Sequence, residues 1–343
     1  MPTRLVTVDP AGPDTEVIRQ AAAILAAGGL VAFPTETVYG LGADAFNAKA
    51  VERIFDVKGR PADNPIIVHL ADASALGSVV TSVPEVAATL IARFWPGPLT
   101  LVLPAAPTVP AVTRGGLPTV AVRVPSHPVA HALIQSAGRP IAAPSANRSG
   151  RPSPTTANHV SADLEGAIDI ILDGGPTPVG VESTVVDLTD KTPTLLRPGG
   201  IPLETLERLL GHIIVAPRRW TPALQRSPGT RYRHYAPRAQ LMLIEAPADR
   251  IGTELAAAVY RLWGQGMRVG VMATAEAAGG LPSGAVIRIM GSRSEPPTIA
   301  ANLFAQLREL DDAGLDAIVV EGIDERGVGR AVMDRLRRAA SAG

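Results

Sequence analysis

The chain of 343 residues contains no cysteine. That excludes disulfides, thiolate metal sites and cysteine nucleophiles. It also lacks an excess of either charge, with 32 Lys plus Arg against 32 Asp plus Glu. No whole-chain basicity argues for bulk nucleic-acid binding, so any basic site is local. Aromatic residues make up 3%, which is scarce for a base-stacking surface. Long hydrophobic runs are missing too. The longest near the start, Ala21 to Phe33, is broken by Gly28 and Gly29, whereas a membrane span needs about 20 apolar residues. Met1 to Pro13 has neither the charged head nor the apolar run of a signal peptide. The expectation is a cytoplasmic protein without membrane segments. Against these absences stand 46% apolar and 19% charged residues, a composition that can bury a sizeable core in one large domain or two ordinary ones.

The first two thirds alternate helical and strand-like patterns. Asp14 or Thr15 is placed to cap a helix reaching Ala27. Strand candidates are Leu30 to Phe33, Ile66 to Leu70, Leu99 to Leu103, Val120 to Val124, Ile141 to Ala143, Ile168 to Leu172 and Thr184 to Leu188. Helical patterns cover Val51 to Val57, Pro84 to Phe94 and His127 to Ala137. This reads as an α/β fold, a twisted mixed sheet with helices packed on it. Residues 213–238 break the rhythm: six arginines, from Arg218 to Arg238, and five Pro or Gly positions forbid a long helix. From Leu241 onward four strand patterns alternate with helices, which implies a second, smaller domain with an open parallel sheet of Rossmann-like type. Its first strand is not followed by a glycine fingerprint, so a dinucleotide site is not supported. The expected division is 1–212, a linker at 213–238, and 239–343.

Several polar segments follow strands in the first domain. Pro34-Thr35-Glu36-Thr37-Val38-Tyr39-Gly40-Leu41-Gly42 carries two hydroxyls and a carboxylate beyond a strand, where ligands bind in α/β folds, with glycines that allow close backbone approach. An ordinary turn would have the same composition, and Glu36 fits a general base, a metal ligand or an anchor. Lys58-Gly59-Arg60 offers two cations around a polyphosphate, or a solvated helix end. Arg123 stands among β-branched residues and needs a partner or a ligand, with Thr119 on the same face of its strand. His69 alone on a strand reads as a half-buried histidine as readily as a site residue. Pro144 to Gly150, Glu182 to Thr184 and Leu196 to Gly199 repeat the logic of a hydroxyl, amide or cation beside Gly or Pro. Their convergence on one cleft is an expectation.

Taken in order, PTETVYGLG, the Lys58-Gly59-Arg60 triplet, Ser145-Ala146-Asn147 and the segment Ser227 to Pro237 resemble the threonylcarbamoyl-AMP synthase family. The resemblance is to its two-domain form: a YrdC-like catalytic domain, a linker and a small C-terminal domain. It covers about Val17 to Pro237. It implies a nucleotidyltransferase that condenses L-threonine, bicarbonate and ATP, with Mg²⁺ accompanying ATP, into threonylcarbamoyl-adenylate and pyrophosphate. Separate transfer proteins would then modify tRNA, and a weak direct contact with tRNA is a further implication. Lys58 and Arg60 would be catalytic. Lys58, Arg60, Asn64, Thr119, Ser145, Asn147, Ser153 and Arg197 would line the ATP site, and Tyr235 would fold over the nucleotide. Thr37, His69, Arg123, Ser183 and the backbone at Ala143 would bind threonine. No resident metal ligands are implied. Tyr232 and Tyr235, in the basic linker, suggest a lid, and Glu36 reads as a supporting anchor. An RNA-binding module and a carbamoyl-adenylate-forming domain like that of hydrogenase maturation proteins are the competing readings. The zero net charge argues against the first, and the absence of acylphosphatase and Cys-rich zinc segments against the second.

Overall fold

A computed structural model of the chain describes residues 2–217, 221–229 and 234–341. It divides into two compact units. The first comprises residues 1–149, 153–178 and 182–232, and the second 150–152, 179–181 and 233–343. No helix among the described residues is long and apolar enough to cross a membrane.

The first unit is built, in chain order, from β1 (Arg4–Thr7), α1 (Thr15–Ala26), β2 (Val31–Pro34), β3 (Tyr39–Asp44), α2 (Ala48–Lys58), β4 (Ile67–His69), α3 (Glu85–Phe94), β5 (Leu99–Pro104), β6 (Thr119–Arg123), α4 (Pro128–Ala137), β7 (Ile141–Ala142), α5 (Ala157–Leu164), β8 (Ile170–Asp173), β9 (Thr184–Asp187), β10 (Thr194–Arg197), α6 (Leu203–Leu210) and β11 (Ile214–Val215). A 3₁₀ turn follows at Pro222–Arg226. The strands form one mixed sheet in the order β1-β8-β2-β3-β7-β4-β6-β5-β9-β10-β11. Side chains alternate across it. One face carries Leu41, Val68, Val122 and Leu101 into the main core under α2, α3, α5 and α6. The other face is covered in two places. Val31, Phe33, Ile141, Ala143 and Ile170 pack beneath α1 and α4, and Ile67, Val102, Ala121, Val185 and Leu196 pack beneath Leu224 of the 3₁₀ turn. On that second face the two apolar patches leave polar side chains between them.

The segment 34–42 differs from its reading as a strand followed by a loop. β2 and β3 are an antiparallel hairpin, registered Phe33 to Gly40 and Val31 to Gly42, and Thr35 to Val38 form its turn. Both glycines are demanded by packing. A Cβ on Gly42 would lie 2.8 Å from both Phe33 Cε1 and Ile141 Cγ2, and one on Gly40 would lie 3.3 Å from Ala143 Cβ. Bare backbone is therefore what lets the Phe33 ring lie flat across its neighbouring strand.

The second unit has β12 (Gln240–Ile244), α7 (Ile251–Trp263), β13 (Val269–Thr274), α8 (Ala275–Ala278), β14 (Val286–Gly291), α9 (Pro296–Asp312), β15 (Ala317–Glu321) and α10 (Gly329–Ala340). Its four strands are all parallel, in the order β12-β15-β13-β14. The inward residues of β13 and β15 bury against α7, while α9 and α10 pack together on the opposite face.

Candidate active site

The polar gap on the second face is built from register. His69 on β4 and Arg123 on β6 are direct partners, so both side chains project the same way. Thr119, four residues earlier, shares that face of β6. Across β5 and β9 the same alternation brings Thr100 and Ser183 to it, and Arg197 pairs with Val185 from β10.

Arg123 is buried and held by three neighbours. Its Nε donates to the Gly97 carbonyl at 3.1 Å and its Nη1 to Thr37 Oγ1 at 2.9 Å. Nη2 lies 2.6 Å from Glu36 Oε1, an ion pair that sits off the hydrogen-bonding direction and leaves both carboxylate oxygens without a hydrogen-bond donor. Thr37 is held from behind by Thr35, whose Oγ1 lies 2.9 Å away. Beside Arg123, burial and then the guanidinium charge push His69 down to about 3, so its ring is neutral at physiological pH. Its Nδ1 is buried without a partner, and the Phe33 ring meets it edge-on at 6.3 Å. Burial also lowers His127, a tendency that the charge of Glu36 opposes.

The second group of residues meets the same hairpin. Gly40 bridges Ser145, and the Ala146 amide donates to the Tyr39 carbonyl at 2.8 Å. Lys58, at the end of α2, donates its Nζ to the Ser145 carbonyl at 2.6 Å and to that of Asn147. Ser145 Oγ donates to Asn147 Oδ1 at 2.6 Å. Arg60 Nη2 donates to the Pro65 carbonyl at 2.9 Å. Asn64 Oδ1 accepts from the Gly229 amide at 3.3 Å, and the neighbouring Pro228 carbonyl accepts from Arg197 Nη1 at 3.0 Å. Arg197 Nη2 also donates to the Ser183 carbonyl at 2.9 Å, and Ser183 Oγ is 2.7 Å from Thr100 Oγ1. Thr100 borders β6, where the chain of contacts began. Ser153 joins it by donating to Glu182 at 2.6 Å. Ala143 lies under Gly40, its amide donating to the Ile67 carbonyl at 2.9 Å.

The contacts form a closed circuit, and Lys58, Arg60, Arg123 and Arg197 are all buried in it, against the buried carboxylates Glu36 and Glu182. An excess of desolvated cations strongly favours an anionic ligand. Tyr235, the remaining residue named for the nucleotide, is buried. It belongs to the second unit, with φ of 65°. Its ring stacks on Phe304 at 5.3 Å and carries the Arg335 guanidinium at 5.3 Å, and 3% of it is exposed. Tyr232, the other tyrosine of the suggested lid, lies outside the described residues. Thr100, Gly97 and the Pro228 carbonyl escaped the sequence reading. A single hydroxyl in the apolar run Leu99 to Leu103 was the one signal for Thr100, and backbone acceptors leave none.

Comparison with known proteins agrees with this architecture. A family model described as telomere recombination, of the Sua5, YciO and YrdC group, matches residues 23–199. A second, described as the threonylcarbamoyl-AMP synthase C-terminal domain, matches residues 201–341. The threonylcarbamoyl-AMP synthase of Pyrococcus abyssi is 49% identical over 94% of each chain. That of Bacillus subtilis is 50% identical over 94% of this chain and 92% of its own. The crystal structure of P. abyssi Sua5 complexed with L-threonine superposes with a TM-score of 0.94 at 47% identity, covering 99% of this chain and 98% of the other. These matches define a two-domain protein that joins a YrdC-like unit to a Sua5 C-terminal unit. The chain belongs to the threonylcarbamoyl-AMP synthase family.

Proposed function

We propose that this chain condenses L-threonine, bicarbonate and ATP into threonylcarbamoyl-adenylate and pyrophosphate at the circuit of buried residues around Arg123 and Lys58. The threonylcarbamoyl-AMP synthase activity follows from the full-length kinship with curated synthases. The assignment of roles to residues is our reading. The observation that carries it is the circuit itself, which joins the segments carrying Thr37, Lys58, Asn64, Arg123, Ser145, Ser183 and Arg197.

In this reading Arg123 takes the threonine carboxylate. A guanidinium has five N–H groups. One goes to Gly97, one to Thr37 and one faces Glu36, which leaves two for a ligand. Glu36 is the anchor that fixes the fork. His69, neutral and with a vacant buried nitrogen, hydrogen-bonds threonine's hydroxyl or amine, and Ser183 and the Ala143 backbone complete the amino-acid side. The neutral amine adds to carbon dioxide with release of a proton, or to bicarbonate with loss of water, and the resulting N-carboxylate attacks the α-phosphate of ATP as pyrophosphate leaves. Lys58 and Arg60, held in place by backbone carbonyls, offset the charge that develops on pyrophosphate. Asn64, Thr119, Ser145, Asn147, Ser153 and Arg197 surround the nucleotide. Burial of the site limits hydrolysis of the labile product.

Mg²⁺ enters here as part of the substrate, bound to the triphosphate. Glu36 is committed to Arg123, and Glu182 accepts from Ser153. Among the described residues no group of three or more His, Asp or Glu is placed to hold an ion. In this reading the ion is held by phosphate oxygens and water. Downstream, the product is a substrate for proteins that transfer the threonylcarbamoyl group to tRNA.

The test is incubation with ATP, threonine, bicarbonate and Mg²⁺, with mass spectrometry for an acid-labile adenylate. Arg123→Lys keeps the charge and loses the fork. It should raise the KM for threonine about 10- to 100-fold, while Lys58→Ala should chiefly lower kcat. ATP turnover indifferent to threonine, or the two effects reversed, would overturn the assignment.

A further inference from the structure

The second unit contains a crevice that the reaction does not use. It lies at the carboxyl ends of β12 and β15, which are neighbours in the sheet. Its volume is about 430 Å³, and Glu245, Arg293, Gly322, Asp324, Arg326 and Met333 line it. β12 leads into α7, which packs on one face of the sheet, whereas β15 leads into α10, which packs with α9 on the other. Adjacent parallel strands whose connections leave on opposite faces open a gap between their loops, and open α/β sheets bind ligands there.

The floor of this gap is built around a charge. Glu321, at the end of β15, has no solvent exposure. It accepts from the Thr274 amide at 2.7 Å and from Arg293 Nε at 2.7 Å and Nη2 at 2.5 Å. A carboxylate buried this deeply is costly unless every lone pair is used. It fixes two of the three guanidinium nitrogens of Arg293 and aims the third, Nη1, which reaches only the Ala248 carbonyl at 3.4 Å. The lining charges balance, with Arg293 and Arg326 against Glu245 and Asp324, and Arg326 already pairs with Asp324 at 2.8 Å across the exposed rim. Arg337 ties Glu245 and Glu325 together at the rim, at 2.5 and 2.6 Å. A balanced lining disfavours polyphosphates, and the first turn of α7 discourages them further, since Asp249 precedes it and Glu254 lies in it. No glycine fingerprint follows β12. A molecule carrying one anionic and one cationic group can insert into the exposed Arg326–Asp324 pair and keep the lining neutral.

We propose that this crevice binds a small zwitterion of the α-amino-acid class, its carboxylate on Arg293 Nη1 and Arg326 and its ammonium on Glu245 and Asp324. The site is separate from the threonine site around Arg123, so two sets of variants isolate the two. The probes are the common L-amino acids, L-threonine included, each offered at millimolar concentration to the full-length protein and read by calorimetry. At least one should bind with an affinity that Arg326→Ala reduces about tenfold, that Arg293→Met with Glu321→Gln abolishes, and that Arg123→Lys leaves alone. The amide and N-acetyl derivatives of that amino acid should fail to bind. Arg326 is an exposed side chain, so its variant keeps the fold, and threonine-dependent pyrophosphate release without added effector serves as the control. Binding by none of the amino acids, equal binding of the blocked derivatives, or binding of inorganic phosphate in their place would each overturn the proposal.

Discussion

His69 illustrates how one residue's surroundings set its chemistry. Enclosed by the sheet and next to Arg123, it is held at about 3, well below the ordinary 6.5. The charged groups facing its pair are Arg123 itself and Glu36, with His127 beyond Glu36. The sign follows from linkage. Between pH 6.5 and 3 the unfolded chain takes up a proton on this histidine and the folded one does not, so stability falls as pH falls across that window. By pH 4 the loss should be about 3 kcal/mol. Urea unfolding of wild type and His69→Gln at pH 7 and pH 4 measures it, and the variant should lose less stability on acidification. An equal loss in both proteins would mean that His69 is protonated in the folded state. The same neutrality predicts that the catalytic pH profile above pH 5 owes nothing to this ring.

At the level of elements, the hairpin β2–β3 ties the two halves of the site together, since it holds Thr37 against Arg123 and Gly40 against Ser145. Its shape depends on Gly42. Adding a methyl group there brings Cβ to 2.8 Å from Phe33 Cε1 and Ile141 Cγ2. Overpacking of this kind costs about 1–3 kcal/mol, and the ring that would move is the one touching His69. Gly42→Ala should therefore lower Tm by about 2–4 °C per kcal/mol and raise the KM for threonine, measured by scanning fluorimetry and pyrophosphate release. An unchanged melting point would show that Phe33 does not need the bare strand. The same element shows what the sequence conceals. Glycines at alternate positions lower strand propensity, so β3 looks like a loop, although its other residues, Tyr39, Leu41 and Ala43, face the core. The strands of the second unit were legible because each is a short apolar run between turn residues. The polar segments of the site were legible singly, through their residue types. Their closure into a circuit was not, because it depends on backbone groups such as the carbonyls of Gly97, Pro65 and Pro228. Nor was the placement of Tyr235, which depends on Phe304 and Arg335 from helices 69 and 100 residues further along.

For the whole molecule, the division into units does not follow the chain. Residues 150–152 and 179–181 belong to the second unit although they interrupt the first. They are tightly engaged there. Arg308 Nη2 donates to the Pro152 carbonyl at 2.5 Å, and the Ala236 amide donates to the Gly150 carbonyl at 2.8 Å. Gly180, at φ of 73°, comes so close to α9 that a Cβ would lie 2.3 Å from the Ala300 carbonyl oxygen. Since the chain leaves and re-enters the first unit at each of these loops, unfolding of the second unit releases segments whose ends are anchored in the first. Both units should therefore lose structure together. Tryptophan fluorescence can report each unit: Trp95 lies in the first and Trp263 in α7 of the second. Variants lacking Trp220 and one of these two leave a single reporter. Into both backgrounds Gly180→Ala introduces a residue at positive φ, which by itself costs about 1–3 kcal/mol, together with the collision against α9. If the units are coupled, the urea midpoint should fall by the same amount whether Trp95 or Trp263 is observed. A fall seen by Trp263 alone would mean that the second unit unfolds independently and that the shared loops do not bind the two into one cooperative structure.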